Sequence, residues 1–128
     1  MTNKWEFFSE DELRCKGCGK ALMDDGFMKQ LVELRRAYGK PMVISSGYRD
    51  ADYNRKIKGA PNSAHLYGKA VDVRVVGQDA YTLVKMALAA GFTGIGIKQH
   101  GPLDHRFIHL DTMNEQENIP RPMIWSYP

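Results

Sequence analysis

An aspartate in the middle of the apolar run "AVDVRVV" constrains this chain more than any other feature. Valines alternate there with polar positions, a period that predicts a β-strand with Asp72 on one of its faces. A buried carboxylate is costly unless it is paired, hydrogen-bonded or bound to a metal. Seven residues earlier, in "NSAHLYGKAVDV", stands His65, one of only 4 histidines in the chain. Any fold for this sequence must give Asp72 a partner, and His65 is one candidate.

The rest of the chain predicts a small domain built around that strand. Its 128 residues suit one core and a single domain, 1–128. "FSEDEL" reads as a helix start, with Ser9 as N-cap, Glu12 at capping-box spacing, and Phe8 and Leu13 flanking the cap as a hydrophobic staple. "MDDGFMKQLVELRRAYGK" places Phe27, Leu31, Leu34 and Tyr38 at helical spacing, between a capping Asp24 or Asp25 and a terminating Gly39. "PMVISS" predicts a short buried strand, followed by a short helix near residues 50–57 and a Gly/Pro loop. Beyond Asp72, Asp79 is expected to cap a helix with an apolar stripe of Tyr81, Leu83, Val84, Ala87 and Leu88, closed by Gly91. "GIGIK" and "RFIHLD" predict two more strands, separated by the loop "QHGPLDH". The Pro-punctuated tail "NIPRPMIWSYP" is expected to cover the core without regular structure, with Trp125 and Tyr127 closing the core or walling a cleft. Helices first and short strands later imply an α+β domain with a small, mostly antiparallel sheet and flanking helices.

In "RFIHLD", His109 and Asp111 share one strand face with Phe107, while Ile108 and Leu110 take the other. A lone strand histidine is more often a packed residue than a ligand. Beside His65 and Asp72 the case changes. Two imidazoles and a carboxylate form a zinc-type ligand set, and three protein ligands leave a fourth position open to water. Zinc lowers the pKa of such a water to about 7, which makes it a nucleophile at neutral pH.

"SGYR" at 46–49, "SAHLYGKAVDV" at 63–73 and "FIHLD" at 107–111 resemble the signature blocks of D-alanyl-D-alanine carboxypeptidase-like zinc peptidases. That family includes bacterial cell-wall carboxypeptidases, D-Ala-D-Ala dipeptidases and phage endolysins. The likeness runs from about Phe7 to the terminal "RPMIWSY" and looks closest to small phage and prophage members. The resemblance implies Zn2+ held by His65, Asp72 and His109 in a Hedgehog/D,D-peptidase-like zinc fold, and hydrolysis of peptides containing D-amino acids. It also implies that Arg49 acts on the substrate carbonyl or carboxylate, against a structural pairing of Arg49 with Asp50 or Asp52. Ser63 either positions substrate or caps the loop, and Gly68 permits close backbone approach. Hedgehog signalling domains carry a similar constellation without peptidase activity as their established role, so a non-catalytic zinc module for wall binding or structure is the alternative.

The sequence departs from the family at one position. Many members have an acidic general base three residues before the last histidine ligand, and Arg106 stands there, which cannot accept a proton at neutral pH. Asp104 and His105 are the nearest candidates for that role, with His105 expected on the His109 side of an extended chain. Asp111 or a substrate carboxylate comes next. His100 has nothing around it in the sequence to fix its direction.

Cys15 and Cys18 in "CKGCGK" are too few for a four-cysteine zinc site. They read as two thiols in a Gly-rich turn, as a half-site completed by other ligands, or as a local disulfide. The net charge of +3 suits an anionic surface such as a cell wall but not nucleic acid. The expected partner is therefore peptidoglycan or its stem peptides, met by a monomer with no transmembrane segment. Acidic residues stand where a signal peptide needs an apolar run. The expectation is cytoplasmic synthesis, then action on the wall after release or as part of a virion.

Overall fold

The computed structural model describes residues 4–116 and 119–128. Helix α1, Glu10–Leu13, starts at a complete capping box: Ser9 Oγ accepts the Glu12 amide, and the Glu12 carboxylate accepts the Ser9 amide at 2.9 Å. Phe8 and Leu13 beside it are both buried. Helix α2, Asp25–Tyr38, is capped by Asp24 and stopped by Gly39 at φ 75°. It buries Phe27, Met28, Leu31, Leu34 and Tyr38 along one side. Each such large apolar side chain contributes about 1.5–3 kcal/mol by leaving water.

Strands β1 (Val43–Ser46), β2 (Ala70–Arg74), β3 (Gly94–Lys98), β4 (Phe107–Asp111) and β5 (Met123–Ser126) form one sheet in the order β1-β2-β4-β3-β5. The first three pairings are antiparallel, and β5 joins β3 in parallel. The α+β class and the mostly antiparallel sheet are as expected. The one parallel pairing comes from the tail, which was expected to be irregular but forms a strand. Its Pro residues stand before Met123 and after Ser126, leaving the amides between them free to pair. The first residue of the tail, Asn118, lies outside the described residues.

The period of the strands divides the sheet into two faces. Val71, Val73, Ile95, Ile108 and Leu110 enter the main core with α2 and with helix α4, Gly77–Ala89. Asp72, His109 and Asp111 therefore emerge on the opposite face. Helix α4 is not capped by Asp79. Val76 occupies the cap position without a side-chain bond, and Asp79 sits in the first turn, paired with Lys40 at 2.6 Å. Its buried stripe is Ala80, Leu83 and Ala87, and the expected stripe members Tyr81 and Leu88 stand exposed. Helix α3, Ala51–Lys56, fills the expected place after β1. Among the described residues no helix is long and apolar enough to cross a membrane.

Candidate metal centre

The antiparallel register of β2 and β4 sets Asp72 directly opposite His109. Opposed residues of such a pair have their side chains on one face a few ångströms apart. Asp72 Oδ1 lies 3.1 Å from His109 Nδ1. His65 reaches the same oxygen from outside the sheet, its Nε2 3.2 Å away. It rides on a short 3₁₀ turn, Ala64–Tyr67, whose N-cap is Ser63: the Ser63 Oγ accepts the His65 amide at 3.2 Å. The turn ends at Gly68, φ 67°, where a β-carbon would strike the Leu22 carbonyl. His65, Asp72 and His109 are 2%, 6% and 4% exposed, a dry setting for three polar side chains.

Hydrogen bonding fixes what each group can do. His65 Nδ1 lies 2.6 Å from the Gly47 carbonyl, which can only accept, so this nitrogen carries the proton. Burial holds the His65 pKa below its ordinary value and leaves the ring neutral. Its Nε2 lone pair therefore faces the Asp72 carboxylate. Burial would raise the Asp72 pKa, but the bond with His109 Nδ1 holds that carboxyl below the usual range. Two acceptors confront each other at 3.2 Å in a water-poor site. A cation between them resolves the conflict. Metal–ligand bonds of about 2 Å in a tetrahedron put neighbouring ligand atoms about 3.3 Å apart, close to both spacings observed.

Behind His109 lies a second carboxylate. His109 Nε2 donates to Asp111 Oδ2 at 2.7 Å, which directs Nδ1 toward Asp72. Fully buried Asp111 also receives both arms of Arg121, at 3.0 and 2.8 Å, and the Met113 amide. Burial opposes its charge, but His109 and Arg121 prevail and lower its pKa to about 2. The "GIG" of β3 makes room here. Gly94 and Gly96 pair with Asp111 and His109, and a β-carbon at Gly96 would come 2.7 Å from the Trp125 indole nitrogen. Sequence reasoning gave Asp111 no more than a reserve role and missed Arg121. The alternating glycines opposite polar strand positions were the available signal.

The three side chains open onto a cavity of about 750 Å³, walled by Arg49, Ser63, Phe107, Trp125 and Tyr127 among others. The Trp125 ring packs 5.1 Å from the His109 ring, so the tail aromatics wall the cleft rather than close the core. Arg49 pairs with neither Asp50 nor Asp52. Its guanidinium bonds Ser46 Oγ and Asn54 Oδ1 and stands 3.6 Å from Asp72 Oδ2. The cavity thus gathers Arg49, Lys58 and Arg121 around the Asp72 carboxylate. Burial and the Asp72 charge push Tyr127 up to about 12, so its phenol stays a neutral donor.

Asp104 and His105 are not brought to this cavity. They lie on an exposed 3₁₀ turn, Leu103–His105, that interrupts the extended chain and leaves them 4.0 Å apart. Arg106 donates to the Gly101 carbonyl at 2.9 Å, tying down the same loop. His100 does have a fixed direction, 3.2 Å from the Tyr127 carbonyl.

Residues 6–111 match the model of the family described as Peptidase M15, and the chain belongs to that family. Its buried His–Asp–His group fits the zinc site of a metallopeptidase. The chain is also 36% identical over 83 residues to the zinc D-Ala-D-Ala carboxypeptidase of Streptomyces albus G. That alignment covers 63% of this chain and 32% of the relative, so the chain spans about a third of that protein's length.

Proposed function

We propose that this protein is a zinc-dependent peptidase that hydrolyses peptidoglycan peptides containing D-amino acids, as a D-Ala-D-Ala carboxypeptidase or a murein endopeptidase. The observation that carries the reading is the unprotonated His65 Nε2 held 3.2 Å from Asp72 Oδ1, with His109 completing an inward-facing ligand set. A zinc ion held there supplies a Lewis acid for the scissile carbonyl and lowers the pKa of water enough for attack near neutral pH.

The chain's own residues supply binding and orientation. Arg49 presents a forked guanidinium beside Asp72, suited to a substrate carboxylate or to the oxyanion of a tetrahedral intermediate. Lys58 adds positive charge at the cavity wall. A peptide ending in a free carboxylate fits this charge distribution, which favours carboxypeptidase action. Tyr127 offers a neutral hydroxyl, and Trp125 and Phe107 give apolar walls for short side chains. Ser63, on the cavity lining, is assigned to position both His65 and substrate. The net charge of +3 suits approach to an anionic wall. The setting proposed is wall lysis by a phage or prophage product.

One observation favours a second reading. Among the described residues lining the cavity, Asp72 is the one with a side-chain carboxylate, and Arg106 stands at the family's acidic position. A zinc-containing module that binds wall peptides or serves structure without cutting them fits that absence. Digestion of purified murein by the metal-loaded protein, with new termini identified by mass spectrometry, separates the two. New peptide termini support the peptidase, and intact murein with bound protein supports the module.

A further inference from the structure

The peptidase site leaves Cys15 and Cys18 without a role, and the fold does not leave them as bystanders. Their sulfurs and an Asp50 carboxylate oxygen lie within 4.8 Å of one another. These residues come from separate parts of the chain: the turn after α1 and the segment that follows β1. Neither cysteine is in a disulfide, and Cys15 is fully buried while Cys18 is exposed.

The backbone around them is arranged for thiolates. The turn closes through Cys15 N–H to the Lys20 carbonyl at 2.7 Å and Gly19 N–H to the Cys15 carbonyl at 2.8 Å, with Gly19 at φ 78°. Gly17 packs so tightly on α3 that a β-carbon there would come 2.8 Å from Tyr53. In this conformation the Asp50 amide donates to the Cys15 sulfur at 3.5 Å. An amide donated to a sulfur of a C-x₂-C turn stabilises negative charge there, as a metal-bound thiolate requires.

We infer that Cys15, Cys18 and Asp50 form a second metal site, for one soft divalent cation of the zinc class, separate from the His65–Asp72–His109 centre. Binding converts two thiols to thiolates and releases their protons to solvent, while Asp50 brings an oxygen already ionised. Zn–S bonds of about 2.3 Å need sulfurs about 3.8 Å apart, so closure onto the ion takes small movements of the turn. Two thiolates and a carboxylate leave the fourth position to water. The ion would tie the N-terminal turn to Asp50, the neighbour of Arg49, and so hold the segment that aims Arg49 at the cavity. The inference does not rest on the peptidase reading.

The test is cobalt loading of chelator-stripped, reduced full-length protein. Wild type should bind two equivalents of Co2+, one of them giving the intense near-ultraviolet band of thiolate-to-cobalt charge transfer. Cys18→Ser, at an exposed position that tolerates the change, should lose the band and one equivalent. His65→Ala should lose the other equivalent and keep the band. Asp50→Asn keeps a capping side chain for α3 and should weaken the thiolate site at least tenfold, with the band restored at saturation. Added Zn2+ should raise the melting temperature of His65→Ala protein by several degrees but not that of the His65→Ala, Cys18→Ser double variant. Overturning results are no charge-transfer band in wild type, a band that survives Cys18→Ser, or a Cys15–Cys18 disulfide that persists under reduction.

Discussion

His65 Nε2 stands 3.2 Å from Asp72 Oδ1 with no proton to place between them, because the ring's one proton is committed to the Gly47 carbonyl. An ion between the two atoms turns this repulsion into ligation. His65→Ala should therefore cost more than about 100-fold in metal affinity at this centre, beyond the 10–100-fold typical for residues behind a ligand. Competition with a chromogenic chelator measures this. Unchanged affinity would remove His65 from the ligand set.

Asp111 acts through His109, receiving its Nε2 proton and holding the ring by a bond of 2.7 Å. Asp111→Asn should lower metal affinity about 10–100-fold. It should also make affinity less sensitive to acid, since burial disfavours the protonated His109 ring and the Asp111 charge that favours it is gone. Affinity and its pH dependence identical to wild type would make Asp111 merely the partner of Arg121.

Arg49 shares its guanidinium among Ser46, Asn54 and the neighbourhood of Asp72. Arg49→Lys keeps the charge and loses the planar fork. Turnover of a D-Ala-D-Ala peptide should fall about 10²–10³-fold, the scale of a lost oxyanion donor, with metal content unchanged. A drop in melting temperature that accounts for the lost activity would instead assign Arg49 a structural role.

Asp104 and His105 test the alternative placement of a general base. Their exposed turn, 4.0 Å between the two groups and off the cavity lining, predicts that Asp104→Asn and His105→Ala each cost less than about tenfold in turnover. Loss of a working general base costs about 10²–10⁴-fold. A loss of that size, with metal retained, would show that the loop closes over the cavity when substrate binds.

The buried cluster of His65, Asp72 and His109 was legible because each part carries a local signal. An aspartate in an apolar strand, a histidine after a serine cap, and a histidine two residues from an aspartate are all visible within short windows. The helices were legible for the same reason, from Ser9 and Asp24 at their caps to Gly39 at a stop. What escaped depends on distant pairing. Arg121 meets Asp111 only because β5 runs parallel to β3, and nothing near the prolines of the tail announces that strand. Asp79 looked like a cap, but its geometry is set by an ion pair with Lys40, 39 residues away. Likewise, the turn that carries Asp104 and His105 away from the site follows from the conformation of Gly101 and Pro102, which spacing does not reveal.

The most direct test of the account is a crystal structure of the metal-replete protein with anomalous data across the zinc absorption edge. The account predicts an edge-dependent peak about 2 Å from His65 Nε2, His109 Nδ1 and Asp72 Oδ1 together. A map with no peak there, and with both imidazoles hydrogen-bonded directly to Asp72, would contradict it.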